Sequence, residues 1–127
     1  MKSGKIVLVI RIVVAIILIQ TLRFKFTADE VSIYIFETIG LEPYGRIGVG
    51  VLELIAGILL LIPKTVWAGA LMAVGLMSGA IIMHLTKLDI EVLGDGGLLF
   101  YTAITTFILS AVILYSERKS IPFIQQD

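Results

Sequence analysis

The sequence contains no cysteine and a single histidine, His84. The absence of cysteine excludes disulfides, thiol catalysis, thiolate metal ligands and iron–sulfur clusters held by cysteine. One histidine cannot clamp a haem between two imidazoles of one chain, and no recognised metal-ligand spacing accompanies it. Ten basic and ten acidic residues give a net charge of zero, so the composition gives no reason to expect nucleic-acid binding.

Long apolar segments are what the sequence has in abundance. Hydrophobic residues make up 58% of the chain, and the mean hydropathy is +1.05. A chain of this size in water could not bury so much apolar surface, whereas a lipid surround removes the problem. A spanning helix needs about 20 mostly apolar residues. Four segments meet that requirement, at about 6–22, 45–62, 66–85 and 96–116.

These four segments predict an all-α fold, a polytopic membrane protein with one domain over residues 1–127. Backbone groups in lipid must be hydrogen-bonded within their own segment, so the spans are expected to be helices in a four-transmembrane-helix bundle. The first segment follows two lysines, as a signal peptide would. It lacks a small-residue cleavage site, so we interpret it as a retained span.

The three connections between the spans differ in character. Residues 28–39 combine a polar start with apolar residues, which predicts a short helix lying at the membrane interface. Only Pro63, Lys64 and Thr65 separate the second and third spans, which predicts an antiparallel helical hairpin. The third connection, residues 86–95, is predicted to be extended, with Asp95 capping the fourth span.

Basic residues near the span ends set the expected orientation. The side that holds both termini and Lys64 carries five basic residues, and the other side carries four. This small excess favours cytoplasmic termini in a multi-pass protein of the cell inner membrane. The lipid bilayer is the expected partner, and a protein partner or a homo-oligomer is a further candidate.

Small residues favour close helix packing in lipid. The third span contains a GxxxG pattern at Gly75 and Gly79, and the second span contains Gly50 and Gly57. The simpler interpretation is packing within one bundle, and the alternative is a dimer interface.

Glu53 is the clearest candidate for a functional side chain, because an ionisable residue inside a bilayer is costly. It lies near the middle of the second span, and Gly50 and Gly57 share its helix face. Arg11 enters the first span from the opposite side and reaches a comparable depth. Two interpretations stay open: a functional site, or an Arg11–Glu53 pair that only locks the first two helices together.

Polar residues at the ends of several spans are predicted to lie at one depth, nearer than Glu53 to the membrane surface where the second span begins. We call this set the polar level. Its members are Gln20, Arg23, Lys25, His84 and Asp95. A funnel narrowing from this level toward Glu53 would form a polar site in an apolar wall. The simpler alternative for His84 is an interfacial residue without a ligand, and the methionines are better explained as packing residues than as metal ligands.

Three stretches resemble the DoxX family of small bacterial four-helix membrane proteins. They are residues 20–37, the Gly-Arg-Ile-Gly-Val-Gly-Val-Leu-Glu-Leu run that opens 45–64, and Ser-Gly-Ala-Ile-Ile-Met-His-Leu-Thr at 78–86. The resemblance covers nearly the whole chain and draws attention to Lys25, Glu53 and His84. Some relatives are associated with quinone-linked thiosulfate oxidation, and others with membrane oxidoreductase complexes.

Three hypotheses of function follow. The first is an accessory or binding component of the membrane with a polar pocket around Glu53. The second, which the resemblance implies, is a membrane subunit of a quinone- or sulfur-linked oxidoreductase, in which Glu53 and His84 handle protons. The third is a small proton- or cation-coupled transporter using Glu53. No cofactor is evident from the residues, and a quinone is the candidate that the resemblance implies.

Overall fold

Helices account for the regular structure of the chain. The structure, a computed structural model, describes residues 2–22, 26–27, 30–42, 44–88 and 90–121. Within these ranges lie α1 (Lys2–Gln20), α2 (Glu30–Thr38), α3 (Tyr44–Leu61), α4 (Val66–Thr86) and α5 (Leu98–Ser116), with 3₁₀ turns at Pro63–Thr65 and Arg118–Ser120. No strand occurs in the same ranges. The prediction of an all-α fold is therefore confirmed.

Three helical segments of the described chain are long and apolar enough to cross a bilayer. They are Tyr44–Leu61, Pro63–Thr86 and Leu98–Ser116. They coincide with the second, third and fourth predicted spans to within three residues at either end. The first predicted span forms α1, a helix of 19 residues.

The four long helices form a closed ring. α1 packs against α3, α3 against α4, α4 against α5, and α5 against α1. The interior is apolar, and its buried members are Val14, Ala15, Leu18, Ala56, Leu60, Val66, Ala70, Ala73, Met77, Ala103 and Ile113. Large apolar side chains also face outward on every long helix, among them Ile16, Ile58, Ile82 and Ile108. An outer surface of this kind fits hydrocarbon rather than water.

Two glycines let α3 approach its neighbours closely. A Cβ built on Gly57 would lie 2.9 Å from Cγ1 of Ile19 in α1. A Cβ built on Gly69 of α4 would lie 2.8 Å from the backbone nitrogen of Leu60 and 2.9 Å from the carbonyl oxygen of Ala56. The prediction that the Gly50, Glu53 and Gly57 face of the second span meets another helix is confirmed.

The GxxxG pattern of α4 does not pack inside the bundle, and the prediction that it does is wrong. Gly75 and Gly79 are exposed, and a Cβ on either would meet nothing within 4 Å. The helix is apolar on every side, so its sequence does not reveal which face turns inward.

The turn between α3 and α4 is as short as predicted. The 3₁₀ turn at Pro63–Thr65 joins the two helices, and the Thr65 hydroxyl donates to the carbonyl oxygen of Leu59 at 2.9 Å. The same carbonyl accepts the backbone N–H of Ile62 at 3.3 Å, so both bonds fix the end of α3. The two helices therefore form the expected antiparallel hairpin.

The other two connections shape the opposite end of the bundle. α2 packs against α3, so a helix is present where one was predicted between the first two spans. Between α4 and α5 the chain turns tightly, with Leu93, Gly94, Gly96 and Gly97 all at positive φ. The prediction of an extended connection is therefore wrong, because positive φ values reverse the chain direction.

Candidate functional site

Glu53 lies on the inward face of α3 and is only 5% exposed. Arg46, Gly50, Gly57 and Leu60 are buried on the same helix, and their spacing places them on the Glu53 face. The hydroxyl of Thr21, one residue beyond the end of α1, lies 3.3 Å from Oε1 of Glu53 and 2.8 Å from the carbonyl oxygen of Leu18. A hydroxyl has one hydrogen to donate, and 3.3 Å is long for a bond to a carboxylate. Thr21 is therefore a weak contributor to the Glu53 environment.

An aromatic ring lies one turn above Glu53. A Cβ built on Gly50 would lie 2.7 Å from Cε1 of Phe26, so the Phe26 ring rests on the α3 backbone there. Only a glycine permits this approach. The ring covers the stretch of the inward α3 face between Arg46 and Glu53.

Arg11 does not pair with Glu53. Its Nε–H donates to the carbonyl oxygen of Leu60 at 2.8 Å, and no ion pair joins it to Glu53 among the residues that the structure describes. Leu60 lies seven residues beyond Glu53, which is about 10 Å along the helix axis. Arg11 therefore binds the end of α3 that faces the Pro63–Thr65 turn, and the hypothesis of an Arg11–Glu53 lock is wrong.

Arg46 is a buried cation that sequence reasoning missed as a site residue. It is 6% exposed, and its Nε lies 2.9 Å from Oε1 and 3.2 Å from Oε2 of Glu42. This ion pair balances part of the cost of burying a guanidinium. A sequence signal was available, because Arg46 lies seven residues before Glu53 on the same helix face and four residues after a glutamate.

His84, near the end of α4, is 5% exposed. Its ring meets the ring of Phe100 edge to face, with centroids 5.5 Å apart and an interplanar angle of 63°. Aromatic pairs favour this geometry. Phe100 belongs to the first turn of α5, so the pair joins the ends of the two helices at the opposite end of the bundle from the Pro63–Thr65 turn.

Asp95 organises the start of α5. Its Oδ1 accepts hydrogen bonds from the backbone N–H groups of Val92 and Gly97 at 3.0 and 2.8 Å, and its Oδ2 accepts one from Leu99 at 3.2 Å. Leu99 is the second residue of α5, so the predicted capping role is confirmed, although Gly97 occupies the N-cap position itself.

The charge of Asp95 is stabilised by its surroundings. Burial acts to raise the pKa of the carboxyl, but the three backbone hydrogen bonds and the attraction of His84 outweigh it and lower the pKa below the ordinary 3.8. Two members of the predicted polar level, His84 and Asp95, are therefore electrostatically coupled.

The other members of that level are Gln20, Arg23 and Lys25. Gln20 is exposed at the end of α1. Arg23 and Lys25 lie outside the described residues. No group of three histidine, aspartate or glutamate side chains that could hold a metal occurs within the described ranges.

A groove of about 590 Å³ opens on the side of the bundle between α1 and α5. Its lining residues are Ile17, Asp95, Gly96, Leu98, Tyr101, Thr102 and Thr105. The walls combine apolar side chains with a tyrosine and two threonines, a composition typical of small-molecule sites. Glu53 does not line this groove.

A comparison with known families identifies the chain. The sequence model of the DoxX family matches residues 6–85, which include most of α1, all of α2 and α3, and all but the last residue of α4, and which carry Glu53, Arg46 and His84. No curated protein and no solved structure matches the chain. With its long apolar helices, the chain is a multi-pass membrane protein. It belongs to the DoxX family.

Proposed function

We propose that this DoxX protein is a binding component of the membrane that holds a lipid-soluble molecule by its polar head. The observation that carries the proposal is the burial of two opposite charges, Arg46 and Glu53, on one inward face of α3. Charged groups are rarely retained in an apolar bundle for stability alone, because apolar residues of similar volume serve as well.

These charges belong to a polar track, which we define as Glu53, Arg46, His84 and Asp95. Gly69 lies beside Ala56 and Leu60, so α3 and α4 are in antiparallel register there. Counting from that contact at 1.5 Å per residue places His84 within about one helical turn of Arg46 in depth. Glu53 lies about 10 Å deeper than Arg46 along α3. The track thus runs from the α4–α5 connection toward the middle of the bundle.

The track carries the features that an amphipathic ligand needs. Arg46 and His84 supply hydrogen-bond donors, Glu53 supplies an acceptor, and apolar helices surround them. The α1–α5 groove shares Asp95 with the track and opens beside its loop end. A quinone fits this description, with carbonyl oxygens for the donors and a tail for the apolar walls.

Retention of a short-chain benzoquinol, the reduced form of a quinone, by purified protein in lipid nanodiscs tests the proposal. We expect Glu53→Gln to weaken binding about tenfold, which corresponds to about 1.4 kcal/mol, because it removes the charged acceptor for a quinol hydroxyl. Glu37→Gln changes an exposed carboxylate on α2 and is the matched control. Equal retention by wild type and both variants would remove Glu53 from the binding site.

A membrane subunit of a quinone-linked oxidoreductase is the second candidate. The feature that favours it is the buried His84 ring against Phe100, since an imidazole beside a bound quinone is suited to proton transfer. Quinone reduction that requires an added soluble partner and falls in His84→Ala would support it. Proton-coupled uptake into proteoliposomes that Glu53→Gln abolishes would instead point to a transporter.

We also propose that α1 is a fourth span and that both termini lie on the cytoplasmic side. α1 is about 28 Å long at 1.5 Å per residue, close to the thickness of the hydrocarbon layer. Because α1 is followed by α2 at the Asp95 end of the bundle, we expect α2 to lie at the opposite interface from the termini.

The absence of native cysteine permits a direct labelling test of this topology. Gly4→Cys and Lys64→Cys should react from the same side of the membrane, and Glu91→Cys from the other. A membrane-impermeant maleimide added to intact cells should label only Glu91→Cys. If α1 does not cross, Gly4→Cys will instead be labelled together with Glu91→Cys.

A further inference from the structure

Two hydroxyl groups lie in the bundle interior without a protein partner. Thr106 and Ser110 of α5 are both 0% exposed. Neither Oγ1 of Thr106 nor Oγ of Ser110 has a hydrogen-bond partner among the residues that the structure describes. An unsatisfied buried hydroxyl is costly, and most buried polar atoms in proteins have a partner. These two groups therefore need an explanation that the packing of the helices does not supply.

Other hydroxyls on the same bundle behave differently. Thr38, Ser78, Thr86 and Thr105 each donate to the backbone carbonyl four residues earlier, at 2.7 to 2.9 Å. This bond is the usual local solution for a helical serine or threonine. Thr106 and Ser110 do not use it, although their buried position makes it more valuable there.

The two hydroxyls are close enough to bind the same small molecule. They are four residues apart on the same face of α5, so their Cβ atoms are about 5–6 Å apart. A single oxygen between them can form hydrogen bonds of normal length to both. Both side chains are fully buried, and the apolar core of the bundle includes Ala73, Met77 and Ala103. This burial limits the bound molecule to one about as small as water.

We infer that Thr106 and Ser110 bind an internal water molecule. Buried waters in proteins satisfy two to four polar groups of this kind. The site is separate from the polar track, since its residues lie on α5 and the inference depends only on these two hydroxyls.

The water site lies near the depth of Glu53. The contact between His84 and Phe100 fixes how the antiparallel helices α4 and α5 align. Ser110 lies ten residues after Phe100, so Ser110 is level with the residue ten positions before His84 on α4. The same part of α4 lies opposite Glu53, given the contact of Gly69 with Ala56 and Leu60. Glu53 on α3 and the proposed water site on α5 therefore lie at about the same depth in the bundle.

Water-to-methyl magnetisation transfer tests the inference directly. In protein labelled at threonine methyl groups, we expect a cross-peak between water and the Thr106 methyl that Ser110→Ala removes. Thr105→Val, which changes an exposed hydroxyl bonded to the Tyr101 carbonyl, should leave that cross-peak in place. Absence of the cross-peak in the wild type would overturn the inference.

Thermal unfolding gives a second measurement that does not depend on the signal assignment. Thr106→Val and Ser110→Ala should each lower the melting temperature by about 4 °C or more, and the double variant should fall no further than the worse single variant, because all three lose the same water. If Thr106→Val leaves the melting temperature unchanged or raises it, the Thr106 hydroxyl does not bind a water molecule and the inference is wrong.

Discussion

The two ends of the helix bundle are built on different principles. The turn end, next to Pro63–Thr65, is closed by Leu60, Val66 and Ile113, none of them more than 1% exposed. There Gly69 lets α4 pack directly on the α3 backbone. The loop end, next to residues 87–97, buries Arg46 and His84 instead, and each has specific neighbours.

This difference separates stability from binding. Apolar close packing is the main source of stability at the turn end, and Arg11 adds a hydrogen bond to the Leu60 carbonyl there. At the loop end the buried polar groups are matched by ion pairs and hydrogen bonds, such as the pair of Arg46 with Glu42, and they bring polar chemistry of the kind that recognises a ligand. Substitutions at the turn end should therefore change unfolding alone, whereas substitutions along the polar track should change binding as well.

The strongest test of this comparison is a pair of glycines on the same helix. Gly69→Leu should destabilise the protein by about 3 kcal/mol, because the new side chain would overlap backbone atoms of Ala56 and Leu60 that cannot move aside. Thermal unfolding followed by circular dichroism in one detergent measures the effect. Gly75→Leu is the matched control and should be neutral or slightly stabilising, since a Cβ there meets nothing within 4 Å. Similar losses in both variants would contradict the packing described for α4.

The second test concerns Arg11 at the turn end. Arg11→Met removes the bond from Nε to the Leu60 carbonyl and should cost about 2 kcal/mol, a typical value for a hydrogen bond from a charged group. Because Arg11 does not pair with Glu53, the effects of Arg11→Met and Glu53→Gln on the free energy of unfolding should add to within about 0.5 kcal/mol. If the double variant is more stable by over 1 kcal/mol than the sum of the two single effects predicts, Arg11 and Glu53 do form an ion pair.

Much of the fold could be predicted because lipid imposes simple rules on a sequence. Length and hydropathy located the four long helices, and the proline-containing turn after Ile62 identified the helical hairpin. Glycines beside Glu53 correctly indicated a close helix contact, because a charged residue identifies the inward face of an otherwise apolar helix.

The errors have a common physical origin. α4 has no polar stripe in its membrane-spanning part, so nothing in the sequence specified its rotation, and Gly75 and Gly79 were assigned inward when they face outward. Arg11 was paired with Glu53 on depth alone. A side chain of its length reaches a carbonyl as readily as a carboxylate, and only the register of α1 and α3 decides between them.

The loop end offers a smaller but specific effect at Asp95. Asp95→Ala should cost about 1 kcal/mol, because the first turn of α5 loses its side-chain acceptor. Unfolding should show this loss, whereas Glu37→Gln on exposed α2 should show none. If Asp95→Ala unfolds like the wild type, the three backbone bonds to its carboxylate contribute nothing to the fold.

The smallest expected effect is a dependence of stability on pH that originates at the same carboxyl. The pKa of Asp95 is lowered in the folded protein, so the folded state favours the charged form. Its contribution to stability is fully present above the ordinary pKa of 3.8 and is lost as the pH falls through the lowered value. Asp95→Asn cannot ionise and should remove this component, so the stability of the wild type relative to Asp95→Asn should fall on acidification. An unchanged difference between the two proteins across that range would show that the carboxylate is no better stabilised in the fold than in the unfolded chain. The hydrogen bonds of the Asp95 carboxylate would then add no pH-dependent stability to the loop end.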